Sequence, residues 1–155
     1  MKRKLRILGI TSIITAFGYY FYPEHQLIPG QKADKILIYK SEHVLRLYHQ
    51  GKIIASYSVS ISKNGLDAKK KCGDNLTPEG QFHITKRTWT SYHKAIDVGY
   101  GCDVLIHGLK HGWIGKFHRW KDWTLGCIAL TNTEMDEIYD AVDDGCIIEI
   151  LPWTP

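Results

Sequence analysis

Asp122-Trp123-Thr124-Leu125-Gly126-Cys127-Ile128-Ala129-Leu130 is the stretch on which the reading of this chain turns. A glycine and a cysteine sit directly before an apolar run that reads as a strand. Gly126 lets the backbone approach a reacting group closely, and a strand would hold the sulfur of Cys127 rigidly. A cysteine at the head of a strand is also a common small core residue. A second observation tips the reading toward chemistry. Twenty residues upstream, Ile106-His107-Gly108 closes another apolar run with an imidazole. A cysteine and a histidine at the ends of neighbouring strands could form a thiolate–imidazolium pair.

The 155 residues are enough for one domain with a core and a short appendage. A hydrophobic content of 44% and an aromatic content of 12% belong to a folded chain. The net charge of +4 resides entirely in the head of the chain, where Lys2, Arg3, Lys4 and Arg6 precede any acidic residue. From Glu24 onward 16 basic residues face 16 acidic ones, which leaves no nucleic-acid footprint.

Residues 1–22 pair that basic start with the uncharged run Ile7 to Tyr22. As a helix it would reach about 24 Å, just short of a hydrocarbon core of about 30 Å. The tyrosines at 19, 20 and 22 suit a membrane interface, so the segment reads as an uncleaved inner-membrane anchor. The rival is a cleaved signal peptide, with Ala16-Phe17-Gly18 as the cleavage site. Either places the rest of the chain in the periplasm or cell envelope. Residues 23–34 form a linker, and 35–151 the main domain.

That domain reads as mainly β. Lys35 to Tyr39, then Val44 to Tyr48, a turn at His49 to Lys52, and Ile53 to Ile61 make a meander. Ser62 to Asn75 reads as a mobile loop with solvated lysines. After a turn at Thr77 to Gly80 come strands at Gln81–Thr85, Val104–Ile106 and Cys127–Leu130. Thr131 and Glu134 have capping-box spacing, and Met135, Ile138, Tyr139 and Val142 recur at helical intervals to about Asp144. Gly145 stops the helix, and Cys146–Leu151 is the last strand. A small sandwich or barrel with one C-terminal amphipathic helix is the expected fold.

Between His107 and Cys127 runs GLKHGWIGKFHRWKDWTLG, whose glycines and aromatics suit a lid or cleft wall. A zinc site drawn from His107, His111, His118 and Cys127 is disfavoured, because neither CxxC nor HExxH occurs. A serine triad lacks its GxSxG elbow.

Taken together, Thr77-Pro78-Glu79-Gly80-Gln81-Phe82, Ile106-His107-Gly108 and Thr124-Leu125-Gly126-Cys127-Ile128 resemble the L,D-transpeptidase catalytic domain, or YkuD domain, from about Lys35 to Leu151. The resemblance implies Cys127 as nucleophile and His107 as its base. It gives the carbonyl of Gly108 the task of orienting the imidazole, and directs the amides of Gly126 and Cys127 at an oxyanion. Thr124 matches the motif's Ser/Thr. The implied reaction is attack on the amide after the diamino acid of a peptidoglycan tetrapeptide stem, with a thioester passed to an amine. Water as acceptor would make the chain an L,D-carboxypeptidase or endopeptidase, and an idle wall-binding module is the non-enzymatic alternative. No metal or cofactor is implied, and oligomeric state is left open.

Two positions depart from the pattern. Leu125 stands where the family often has His, and Ala129 where it usually has Arg. The cation missing at Ala129 is expected from Arg119, with Lys116 and Lys121 as alternates, meeting substrate carboxylates. Cys72, Cys102 and Cys146 allow at most one disulfide among them, with the pairing open.

Overall fold

The computed structural model describes residues 26–110 and 115–153, with backbone alone at 115 and 116. The anchor assigned to residues 1–22, the start of the linker, His111 and the Lys116 side chain lie outside the described residues. Among the described helices none is long and apolar enough to cross a membrane.

Nine strands are described: β1 (Lys35–Tyr39), β2 (Val44–His49), β3 (Lys52–Ser58), β4 (Gly80–His83), β5 (Lys86–Thr90), β6 (His93–Asp97), β7 (Leu105–His107), β8 (Ile128–Ala129) and β9 (Ile147–Leu151). They form a five-stranded sheet in the order β3-β2-β1-β9-β4 and a four-stranded sheet in the order β5-β6-β7-β8. The expected mainly β fold with one late helix is the fold observed. That helix, α1 (Asn132–Ala141), carries the chain from β8 in the second sheet to β9 in the first.

The first sheet forms because its sequence alternates. Ile36 and Ile38, Leu45 and Leu47, and Ile148 and Ile150 all turn inward and are fully buried. Ile96, Ile106 and Ile128 answer from the second sheet, and Met135 and Ile138 of α1 join the same core. Thr131 caps α1 as the spacing predicts, accepting from the Glu134 amide while Glu134 answers the Thr131 amide. The helix stops at Ala141, earlier than the expected Asp144, because Val142 turns extended (φ −108°, ψ 151°) and its N–H closes on Ile138 O.

The lysine-rich loop 62–75 is braced: Lys63, Lys70 and Lys71 are exposed as expected, whereas Lys69 is not a solvated charge. Asp74 accepts from Lys69 Nζ at 2.7 Å and from the amides of Lys70, Lys71 and Leu76. Lys69 is buried. Desolvation pushes the Asp74 carboxyl up, but those donors outweigh it and hold the group well below the usual carboxylate range. Lys40, just past β1, is fully buried and spends its three protons on Asp67 O, Thr77 O and Glu79 Oε1. The same loop is tied to the β6–β7 connection by a disulfide between Cys72 and Cys102, which settles the pairing left open and leaves Cys146 buried and free.

Candidate active site

The second sheet brings the cysteine and the histidine together through register. β7 and β8 are parallel, with Ile106 against Ile128 and His107 against Ala129. One pair further back sets Leu105 against Cys127, so Cys127 and His107 share a sheet face. Both line one cleft of about 400 Å³ with Lys63, Tyr92, Trp123, Thr124 and Leu125. Cys127 is half-buried and His107 is buried.

His107 is fixed by its own neighbour. Nδ1 lies 2.6 Å from Gly108 O, and a carbonyl can only accept, so Nδ1 carries the proton and Nε2 keeps its lone pair. Gly108 is required here: a Cβ would meet Asn132 Oδ1 at 2.6 Å and His93 Cβ at 3.0 Å. That Asn132 oxygen already accepts from the Leu109 amide at 2.6 Å, which holds the strand end against the start of α1. Tyr92 and Trp123 flank the imidazole at 4.9 and 5.8 Å between ring centroids.

The sulfur of Cys127 has two backbone contacts. The Leu105 amide donates to Sγ at 3.4 Å, and the thiol donates to Asp103 O at 3.5 Å. Burial pushes the thiol up, against the Leu105 amide that favours the thiolate. Burial also pushes the His107 imidazole down, against the Gly108 carbonyl that favours its charged form. Both shifts oppose the resting thiolate–imidazolium pair expected from the sequence.

The turn before Cys127 is built on Gly126 at φ +110°, where a Cβ would also meet Leu76 O at 2.6 Å. Thr124 turns its hydroxyl inward, donating to Cys127 O at 2.7 Å and accepting from the Gly126 amide at 3.3 Å. The Gly126 amide is therefore partly engaged.

Of the residues expected to supply the missing cation, Arg119 and Lys121 lie elsewhere, and the Lys116 side chain is outside the described residues. Arg119 ends in an ion pair with Glu134, donating from Nη2 to both carboxylate oxygens, one of them at 2.6 Å. Glu134 is buried and caps α1, so Arg119 neutralises a structural carboxylate and is absent from the cleft lining. Lys121 is exposed and also outside the lining. His118 is buried beside Ser60, with Nδ1 3.1 Å from the hydroxyl, and burial pushes it down to about 3. It too is absent from the lining. The 3₁₀ helix Gly115–Trp120 carries it past the cleft. Among the described residues no group of three His, Cys, Asp or Glu side chains is arranged to hold a metal ion. Sequence reasoning missed Tyr92, Asp103 and Lys63. Only Lys63 left a trace in the sequence, as one cation in a run read as solvent-facing.

Two mixed sheets sharing one core, with a thiol and an imidazole on adjacent parallel strand ends in an open cleft, define a β protein with a cysteine centre. A family profile described as the L,D-transpeptidase catalytic domain, YkuD, matches residues 33–150. YafK of Escherichia coli (strain K12), which carries the L,D-transpeptidase name, is 31% identical over a region covering 72% of this chain and 48% of YafK. The chain thus spans about half the length of this curated relative. The L,D-transpeptidase of Xylanimonas cellulosilytica has the same fold at a TM-score of 0.60 and 14% identity, covering 82% of this chain and 64% of its own. The helical cell shape determining protein Pgp2 of Campylobacter jejuni does so at 0.62 and 20%, covering 81% and 50%. The chain belongs to the L,D-transpeptidase catalytic-domain family.

Proposed function

We propose that this chain is an L,D-transpeptidase that works through a thioester on Cys127. The observation that carries this reading is the shared cleft of Cys127 and His107, with the His107 tautomer fixed by Gly108 O so that Nε2 is a base. In the reading, Nε2 takes the thiol proton as Sγ attacks the carbonyl of the stem's diamino acid. The Cys127 amide meets the oxyanion. The C–N bond then breaks, and His107 returns the proton to the departing D-Ala amine. An acceptor amine, activated by the same imidazole, attacks the thioester to give a 3→3 cross-link or an anchored protein. Water in its place would give hydrolysis.

The substrate lies outside the cytoplasm, so the reading includes export, directed by the basic and apolar head of the chain. The Cys72–Cys102 disulfide supports that placement, since such bonds persist in oxidising compartments. The test incubates purified protein with disaccharide-tetrapeptide muropeptides and follows products by mass spectrometry. A D-Ala-releasing adduct on the Cys127 peptide, chased by acceptor amine into cross-linked product, is the expected result. Release of D-Ala into free tripeptide alone would reassign the chain as a carboxypeptidase. No adduct and no product would leave the wall-binding module.

A further inference from the structure

We infer that Lys63 is the carboxylate-binding residue of this cleft, replacing the cation that the family motif places where Ala129 stands. This rests on the thioester reading above for the identity of the substrate. Beyond β3 the chain leaves the first sheet and runs along β8. Ser60 bridges Ala129 and Ser62 bridges Thr124. The Thr124 amide donates to Ile61 O and the Lys63 amide to Thr124 O, both at 3.1 Å. Ser62 is fully buried, its hydroxyl bonded to Asn75 O, so alternation sends the next side chain out of the core. That side chain is Lys63, exposed and in the cleft lining with Cys127 and His107. Its backbone is thus stapled to the residue three before the nucleophile, while its ammonium is free to meet a ligand.

Three of the described cations are committed to carboxylates, and the exposed Lys110 and Lys121 lie outside the cleft lining. Lys69 pairs with Asp74, Lys40 with Glu79 and Arg119 with Glu134, whereas Lys63 makes no ion pair among the described residues. Ala129 explains the change of donor. It is fully buried, with its amide and carbonyl both bonded to Ser60, so a longer cationic side chain there would have to displace packed neighbours. The same segment that pairs with Ala129 through Ser60 brings Lys63 to the cleft three residues later. The ligand is a carboxylate within one residue of the attacked carbonyl. In a tetrapeptide stem it has two sources, the side-chain carboxylate of the diamino acid and the C-terminus of D-Ala.

The test uses the whole chain and two independent readouts. On a stem with both carboxylates free, Lys63→Met should lower kcat/KM roughly ten- to a hundredfold, mostly through KM, and Lys63→Arg should recover most of it. Amidating one carboxylate at a time should abolish the difference between wild type and Lys63→Met for the carboxylate that Lys63 binds. The second readout needs no turnover. At low ionic strength Cys127 should favour anionic iodoacetate over neutral iodoacetamide at least about twofold more in wild type than in Lys63→Met. If stems are turned over and kcat/KM changes by less than about threefold, the contact does not exist. If the wild type turns over no stem, the thioester reading fails, and the reagent ratio decides alone: an unchanged ratio overturns the Lys63 assignment, and a reduced one upholds an anion subsite.

Discussion

The two sheets are built on opposite terms. The five-stranded sheet, with strands of four to seven residues, is held by its side chains: β1, β2 and β9 each present a fully buried pair of Ile or Leu residues. The four-stranded sheet narrows to three residues in β7 and two in β8 at the end where the chemistry lies. What holds that end is a set of polar and backbone devices around Gly108, Gly126, Thr124, Asn132 and the Ser60 segment. Short strands cannot stabilise themselves, but they place reactive side chains at strand ends, beside open space. The lesson is a division of labour. The first sheet carries most of the apolar strand pairs, and the second, while sharing the same core, sets Cys127 and His107 in one cleft.

Cys127→Ser should therefore abolish turnover, by about 10⁴-fold or more, while leaving the melting temperature within about 2 °C of wild type. Cys127 is only half-buried, and its thiol contributes only two long backbone contacts. Retained activity on muropeptides would show that the second sheet is not the reacting one. His107→Ala should cost about 10²–10⁴-fold, the usual worth of a general base. The pH profile sharpens this. Because burial holds the imidazole below its ordinary 6.5, the acid limb of kcat/KM should fall below pH 6.5 in wild type. An acid limb above that value would mean that the fold raises the imidazole instead, and burial would not be the governing cause.

The contrast between the sheets is also the contrast between what the sequence discloses and what it hides. β1, β2 and β9 are legible because alternating Ile and Leu announce both the strand and its inward face. The capping box at Thr131 and Glu134 is legible because it is local. The hairpin β5–β6 is not, because Lys86-Arg87-Thr88-Trp89-Thr90 carries few apolar residues and Trp89 faces solvent. Its turn also places His93 at φ +68° without the glycine or asparagine that usually signals such a turn. The Cys–His pair is read from motif spacing, whereas the burial that pushes its thiol up and its imidazole down is supplied only by the fold. Lys40, Lys69 and Arg119 look alike in sequence to any surface cation. Their partners Glu79, Asp74 and Glu134 lie 39, 5 and 15 positions away, and only the folded chain selects them. Expecting Arg119 in the cleft failed for that reason: Glu134 had to be buried to cap α1, and its charge required a partner.

In the first sheet the consequences reverse. Ile148→Ala, in the central β9 and fully buried, should destabilise the protein by about 2–5 kcal/mol while the folded fraction keeps wild-type kcat. Chemical denaturation and active-site titration on the same samples measure the two quantities. A kcat loss at constant folded fraction would show that the sheets are mechanically coupled, and the division would not hold.

The smallest effect concerns acid. Ser60 and His118 sit at the seam where the Ser60 segment joins β8, and burial pushes His118 down to about 3. In the unfolded chain this histidine takes a proton near pH 6.5, whereas in the folded chain it does not until far lower. Between those values the unfolded state binds the extra proton, so stability falls as pH falls through that window, and it is unaffected above it. One such group contributes a slope of up to about 1.4 kcal/mol per pH unit. His107, shifted in the same direction, adds a second contribution. His118→Gln removes the first. It should flatten the pH dependence of unfolding free energy between about pH 4 and 6 by nearly one proton's worth, whatever it does to stability at pH 7. Ser60 Oγ can still donate to the carbonyl of residue 118 in that variant, so the seam keeps that bond. Urea unfolding across the pH range would read the slope directly. A slope unchanged from wild type would mean that His118 is protonated or exposed in the folded protein. The weak point in acid would then lie outside the second sheet.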